Sequence, residues 1–182
     1  LKILKLVLIQ HRAWCKCLYN FTGINFMWIA DNFNHALEKI EKINSRTNGV
    51  STKQFDFSTL YTSIPKKVLT ESLEWCIKKA FIGGKKRFIS VYNYDAKFVN
   101  NPSENSLYFN EVQINNILKF VFENAYFKFG NKIIKQLEGI MMGWDPGPFA
   151  ANLSLYFFEH KHQAKLLKEN YSAAKQNNNN SR

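Results

Sequence analysis

The feature that most constrains this chain is a short alternating stretch that runs into a proline. It covers residues 55–65, here called the first segment, and reads Phe55-Asp56-Phe57-Ser58-Thr59-Leu60-Tyr61-Thr62-Ser63-Ile64-Pro65. Phe55 and Phe57 alternate with polar neighbours, so the pattern predicts a strand with one apolar and one polar face. Pro65 stands where a helix can begin, because the first turn needs no amide donor there. The first segment therefore predicts a strand that turns into a helix.

Asp56 has two interpretations on this stretch alone. A lone carboxylate between two phenylalanines at the end of a strand suits metal binding at the rim of a sheet. An aspartate at such a position equally suits a cap for the turn that follows, since aspartate is common in turns. The first segment by itself leaves both interpretations open.

A second segment, residues 136–153, favours the metal-binding interpretation. It reads Gln136-Leu137-Glu138-Gly139-Ile140-Met141-Met142-Gly143-Trp144-Asp145-Pro146-Gly147-Pro148-Phe149-Ala150-Ala151-Asn152-Leu153. The first and second segments resemble motifs A and B of reverse transcriptases, and their residue patterns are most similar to those of the Penelope-like element reverse transcriptases. Residues 28–32 and 129–132 also resemble this family, and Glu159 stands where the family has an acidic residue on the helix after motif B. The resemblance covers residues 26–160, and two motifs in the right order are more specific than either alone.

This resemblance implies an α+β fold, namely part of a reverse-transcriptase palm with adjoining fingers elements, in which a small antiparallel sheet packs with several helices. The implied domain covers residues 26–170 and follows an N-terminal flanking segment at residues 1–25. Residues 171–182 form a polar, asparagine-rich tail, whose composition predicts disorder. The implied reaction adds deoxynucleotides to a primer end, with an RNA template, a DNA primer and deoxynucleoside triphosphates as partners.

The resemblance also implies a set of site residues. Nucleotide addition is phosphoryl transfer, in which two divalent cations hold the attacking and leaving oxygens. Asp56 is then a catalytic magnesium ligand, with the backbone carbonyl of Phe57 as a second ligand. Tyr61 lies beside the sugar of the incoming nucleotide, where a rigid ring leaves no room for a 2′-hydroxyl. The nucleotide and template pocket is formed by Gln136, Gly139, Met142, Gly143 and Pro148.

The glycines of the second segment have a physical reason of their own. Gly139 and Gly143 permit a close approach to a substrate and a positive φ where one is needed. Without the first segment, we would interpret this loop only as a connector from a hairpin to a helix. Asp145 is predicted to be a helix N-terminal residue outside the metal site, and Glu159 to His162 a solvated helix end.

Several positions depart from the family pattern. Family members usually have proline where Met141 stands, and small polar residues with cysteine or serine at positions 144–147. No Tyr-x-Asp-Asp or other Asp-Asp pair occurs in the 182 residues, and no basic fingers motif is recognisable upstream of the first segment. We therefore expect an internal piece of a polymerase that is inactive alone, with its two-ion magnesium site completed only in the full-length parent.

The charge of the chain favours an anionic partner. Lys and Arg number 25 against 14 Asp and Glu, which gives a net charge of +11, and nucleic acid is the first candidate for such a balance. The basic residues are scattered, so a lysine-rich surface that only aids solubility stays open. His11, Arg12 and Lys16 are predicted to be a solvated face rather than a nucleic-acid contact.

Two further function classes remain open. One is a non-catalytic nucleic-acid-binding relic of a decayed element, and the other is an unrelated basic α+β interaction protein. The three cysteines lack the spacing of a zinc site and predict free thiols. No signal peptide or membrane-spanning run is recognisable, so we expect an intracellular protein, nuclear in a eukaryotic host.

The remaining patterns predict a helix within residues 1–20, four further helices, two short strands at residues 88–94 and 96–98, and a hairpin. Asp31 is expected to cap a helix to Asn44, with inward-facing Phe33, Ala36, Leu37, Ile40 and Ile43. A helix after Pro65 should bury Leu69, Leu73, Cys76, Ile77 and Ala80 and end at Gly83-Gly84. Asn110 should cap the next helix, the turn at Gly130-Asn131 should join two hairpin strands, and a last helix should start near Pro148.

Overall fold

A computed structural model describes residues 2–27, 29, 33–45, 59–84, 86–92, 95–104, 106–141 and 143–180, except for the side chains of 83, 84 and 170–180. Within these residues the helices are α1 Lys2–Thr22, α2 Phe33–Asn44, α3 Leu60–Ser63, α4 Lys66–Gly84, α5 Glu111–Glu123 and α6 Gly147–Asn180. The strands are β1 Phe88–Tyr92, β2 Asp95–Val99, β3 Leu107–Phe109, β4 Tyr126–Phe129 and β5 Lys132–Lys135.

The strands form two small antiparallel sheets, which confirms the predicted α+β class. One sheet has the order β2-β1-β3, and β4 and β5 form a separate hairpin around Gly130, whose φ is +59°. Strand β3 was not predicted, because three residues are too few to show an alternating pattern. It forms through its pairing with β1, in which Ile89 lies opposite Phe109.

Helix α4 is the centre of the core and packs against α1, α5 and α6. Its predicted stripe is buried throughout, at Leu69, Leu73, Cys76, Ile77 and Ala80. The hydroxyls of Ser72 and Ser154 lie 2.8 Å apart between α4 and α6, so this buried polar pair is satisfied. The helix ends at the predicted Gly83-Gly84 pair and includes both glycines.

The predicted inward stripe of α2 is not buried. The helix ends at Asn44 as expected, but none of its residues is buried and Phe33 is 74% exposed. Leu37, Ile40 and Ile43 are also exposed. A helical period identifies an apolar face, whereas burial requires a second element opposite that face, and the described residues do not bury this one.

Two histidines predicted to be solvated lie in the core instead. His11 is 2% exposed, and its Nε2–H donates to the carbonyl of Cys76 at 2.8 Å. His160 is half-buried, with its ring 5.3 Å from that of Trp14 and 5.1 Å from that of Trp75. Both imidazoles belong to an aromatic cluster that joins α1, α4 and α6. The prediction of a solvated helix end at His160 was wrong because α6 continues past it and α1 and α4 cover that face.

Helix α6 begins one residue before the predicted start and reaches Asn180. The backbone of residues 171–180, predicted to be a disordered tail, is thus helical in continuity with α6. Extending an existing helix is easier than starting one, because each added residue also adds a hydrogen bond. Among the described helices, none combines the length and the apolar character that a membrane crossing requires.

Candidate functional site

The first and second segments meet at the start of α4. The amide of Gly139 donates to the carbonyl of Ile64 at 2.8 Å, and the amide of Ile140 donates to the carbonyl of Tyr61 at 2.6 Å. These two backbone hydrogen bonds hold the loop before α6 against α3. The described parts of the two segments are therefore in direct contact.

Gly139 can approach this closely only because it has no side chain. Its φ is +81°, which disfavours any residue with a Cβ. A Cβ built on Gly139 would lie 2.3 Å from the carbonyl oxygen of Tyr61 and 2.8 Å from the Cα of Thr62. Both obstacles are backbone atoms, so the contact cannot be relieved by a change of rotamer.

A hydrogen bond between Lys66 and Glu138 reinforces this junction from the other side. The backbone amide of Lys66 donates to Oε2 of Glu138 at 2.8 Å. This amide is the first of α4, where a carboxylate satisfies an orphan donor and interacts favourably with the helix dipole. Glu138 therefore caps α4. Because Glu138 directly precedes Gly139, the same hydrogen bond also holds the loop against the start of α4.

The ammonium group of Lys66 ties α4 to two further elements. Its Nζ donates to the carbonyl of Phe122 at 2.6 Å and also to the carbonyl of Gln136. Partial burial and the nearby Lys135 lower the pKa of Lys66, while Glu138 and Glu123 act in the opposite direction. Lys66 thus joins the start of α4, the end of α5 and the exit of β5.

Gln136 takes part in the same arrangement as a structural residue. Its amide donates to the carbonyl of Ala125 at 2.8 Å, and its side-chain Nε2 donates to the carbonyl of Glu138 at 2.8 Å. Gln136 was predicted to line a nucleotide and template pocket. In the structure its described contacts fix the main chain of the second segment.

Tyr61 lies beside the loop, half-buried against the core. Atom Cε1 of its ring is 3.8 Å from the position that a Cβ on Gly147 would occupy. Gly147 is buried and begins α6, so the ring packs at the N-terminus of that helix. The predicted position of Tyr61 beside the sugar of a nucleotide stays a prediction.

The structure does not bring every predicted residue into this junction. Gly143 has a φ of +78° but open space around it, and Pro148 is exposed on the first turn of α6. Asp56, Phe57 and Met142 lie outside the described residues. The predicted role of Asp56 as a magnesium ligand therefore stays a prediction.

The described residues contain no group of three histidine, cysteine, aspartate or glutamate side chains that could hold a metal ion. The magnesium ligands that the resemblance assigns, Asp56 and the Phe57 carbonyl, are not among those residues. The described contacts of the junction fix the loop and the start of α4 beside the ring of Tyr61.

Lys66 and Glu138 were missed by the sequence analysis. Each directly adjoins a residue that was singled out, Pro65 and Gly139 respectively. Nothing in a helical or strand period indicates that a lysine and a glutamate separated by 72 positions meet. The only available signal was that the two segments resemble two motifs of one family.

No protein-family model, curated protein sequence or solved structure matches the chain. The similarity of the two segments to polymerase motifs therefore rests on their residues alone.

Proposed function

We propose that this chain is part of the palm, with adjoining fingers elements, of a retroelement reverse transcriptase, an RNA-directed DNA polymerase. The observation that carries the proposal is the contact between the first and second segments at Gly139. Two backbone hydrogen bonds join them, and no side chain fits between them. A polymerase of this class needs its metal-binding strand and its nucleotide loop side by side, which supports the proposal.

In this proposal Asp56 and the carbonyl of Phe57 are magnesium ligands. Magnesium prefers octahedral coordination by hard oxygen atoms, so one carboxylate and one carbonyl do not complete the site with this chain's residues. When bound, the cations would stabilise the attacking and leaving oxygens of the phosphoryl transfer. The parent polymerase would supply the remaining carboxylates and act in the nucleus of a eukaryotic host.

The other residues shape the space beside that site. Tyr61 limits the room at the sugar, and the loop from Gly139 to Gly143, with Met142 and Pro148, borders the nucleotide and the template. Lys66 and Glu138 are positioning residues that hold the loop in place. The substrates are an RNA template, a DNA primer and deoxynucleoside triphosphates.

A primer-extension assay tests this function. The full-length gene product should extend a DNA primer on an RNA template with magnesium, and Asp56→Asn should abolish extension. The matched control, Asp95→Asn, changes an exposed carboxylate on β2 and should leave extension unchanged. The 182-residue chain alone should not extend the primer. Extension that survives Asp56→Asn would overturn the proposal.

A second candidate is a non-catalytic nucleic-acid-binding relic. The net charge of +11 favours it, because nucleic acid is the first candidate partner for such a balance. The coding sequence downstream separates the two functions, because an intact polymerase requires a further aspartate pair. A full-length product that binds primer and template but lacks that pair would support the relic.

A further inference from the structure

A groove of about 590 Å³ lies between α1, α2 and the loop that follows α1. Helix α1 contributes Arg12, Lys16 and Tyr19 to it, which lie three to four positions apart and so share one helix face. Helix α2 contributes Lys39 and Lys42 at a similar spacing. Two helices from separate parts of the chain therefore line one concave surface.

The lining of this groove carries positive charge on both walls. His35 accompanies the arginine and the three lysines, and none of the described residues that line the groove is acidic. Within the described part of the chain, no ion pair joins Lys16, Lys39 or Lys42 to a carboxylate. A concave surface lined by one sign of charge focuses its field and attracts counter-ions. The groove is therefore suited to an anionic ligand.

The same groove has an apolar component. Cys15 and Met27 are buried at its lining, and Ile29 is partly buried. Tyr19 is 53% exposed, so its ring is available at the lining. A ligand that matches this surface must present both negative charge and flat apolar faces.

We infer that this groove binds single-stranded nucleic acid. Lys16, Lys39 and Lys42 contact phosphates, and Tyr19 stacks on an unpaired base, which is the combination that single-strand grooves use. A duplex hides its base faces and an acidic peptide has none, so neither uses Tyr19. The groove is separate from the junction at Gly139, and its binding does not require nucleotidyl transfer.

Fluorescence anisotropy with labelled ten-nucleotide oligouridylate and oligothymidylate tests the inference on the 182-residue chain. The variant Lys16→Gln/Lys39→Gln/Lys42→Gln should bind both strands at least about tenfold more weakly at 0.1 M salt. Its slope of log affinity against log salt should fall by about 2, because three phosphate contacts are lost. If both strands bind with similar affinity, the groove recognises the phosphates and the base faces that they share, and not the 2′-hydroxyl of RNA.

The matched control is Lys5→Gln/Lys78→Gln/Lys119→Gln, which removes the same charge from exposed helix positions outside the groove. It should change the affinity by less than about threefold, since non-contacting charges act only through a screened field. Equal losses in the two variants, or no loss in the groove variant, would overturn the inference. Circular dichroism of each variant shows that its helices are retained.

A footprint on the wild-type chain removes any dependence on variant folding. Acetylation of lysines, read by mass spectrometry, should be slowed by oligouridylate at Lys16, Lys39 and Lys42. The exposed Lys5 and Lys78 should react at the same rate with and without the oligonucleotide. Protection that is uniform over all lysines would contradict a defined groove.

The role of Tyr19 separates single strands from other anions. Tyr19→Leu should weaken oligouridylate binding about fivefold or more, because one stacked base is lost, and should leave binding to a ten-base-pair duplex unchanged. Duplex DNA or a glutamate decapeptide that competes as well as oligouridylate would overturn the assignment. The lysine triple variant of the parent polymerase separates this inference from the proposed function. If that variant still extends a primer and binds RNA with unchanged affinity, the groove does not bind nucleic acid, and the polymerase proposal is unaffected.

Discussion

The main chains of Gly139 and Ile64 are in direct contact, with the amide of Gly139 donating to the carbonyl of Ile64 at 2.8 Å. The neighbouring pair, Ile140 and Tyr61, repeats this contact at 2.6 Å. Because backbone atoms form both bonds, the distance between the two segments depends on the absence of a side chain at Gly139. The stability of this junction can therefore be tested one residue at a time.

Gly139→Ala should destabilise the chain by about 3 kcal/mol. The new methyl group would meet the Tyr61 carbonyl at 2.3 Å while φ is +81°, so steric overlap adds to the cost of a left-handed conformation. Gly143→Ala is the control, since its φ of +78° is similar but no atom lies within 4 Å of the built Cβ. It should cost only about 1 kcal/mol. Urea unfolding measures both, and equal costs would contradict the close contact.

Lys66→Met should lower the free energy of unfolding by about 2 kcal/mol. The substitution leaves the carbonyls of Phe122 and Gln136 without their charged donor, and hydrogen bonds to charged groups are worth about this much. Lys67→Met, at the exposed neighbouring position, should change stability by less than about 0.5 kcal/mol. Matching losses in urea unfolding would show that Lys66 does not hold these elements together.

Tyr61→Val tests the proposed exclusion of ribonucleotides in the full-length polymerase. A smaller side chain should leave room for a 2′-hydroxyl, so ribonucleotide incorporation should rise at least about tenfold relative to deoxynucleotide, which corresponds to about 1.4 kcal/mol of discrimination. The half-buried ring also packs on the core, so thermal stability is measured in parallel. A folded, active variant with an unchanged ratio would remove Tyr61 from the nucleotide site.

The fold should lose stability as the pH falls below about 6.5. Burial lowers the pKa of His11, against the effect of its hydrogen bond to Cys76, and burial together with Lys79 lowers the pKa of His160. The unfolded chain then binds more protons than the folded chain between the ordinary and the lowered pKa values. The stability due to the neutral imidazoles is therefore complete above about pH 6.5 and is lost progressively below it.

Unfolding by urea at pH 7.5, 6.5 and 5.5 measures this dependence. The double variant His11→Gln/His160→Gln should show a smaller loss of stability over this interval than the wild type. His162→Gln changes an exposed histidine of α6 and should retain the wild-type pH dependence of stability. A double variant with the wild-type pH dependence would show that other groups cause it.

Local chemistry in the sequence predicted most of the individual elements. The apolar stripe of α4 is buried at every predicted position, and Asn110 caps α5 through a reciprocal pair of hydrogen bonds with Gln113. Gly130 forms the hairpin turn with a positive φ. These features depend on residues within a few positions of one another, so their signals are readable in order along the chain.

Burial was predicted less well where it depends on a distant element. The period of α2 identified an apolar face, yet Phe33 is exposed, while His11 and His160 were assigned to solvent and pack among aromatic rings. A polar residue type indicates exposure only on average. Its environment is decided by which helix lies opposite, and in this chain α1, α4 and α6 meet around both imidazoles.

The sequence by itself predicted the α+β class, the helix after Pro65, the hairpin before the second segment and the helix near Pro148. Only the tertiary structure showed that Gly139 lies so close to the carbonyl oxygen of Tyr61 that no Cβ fits between them. It also showed that Lys66 and Glu138 stabilise this contact. The physical reason is the range of the interactions. Helical and strand periods arise from neighbours along the chain, whereas these contacts arise from packing that joins residues 72 positions apart.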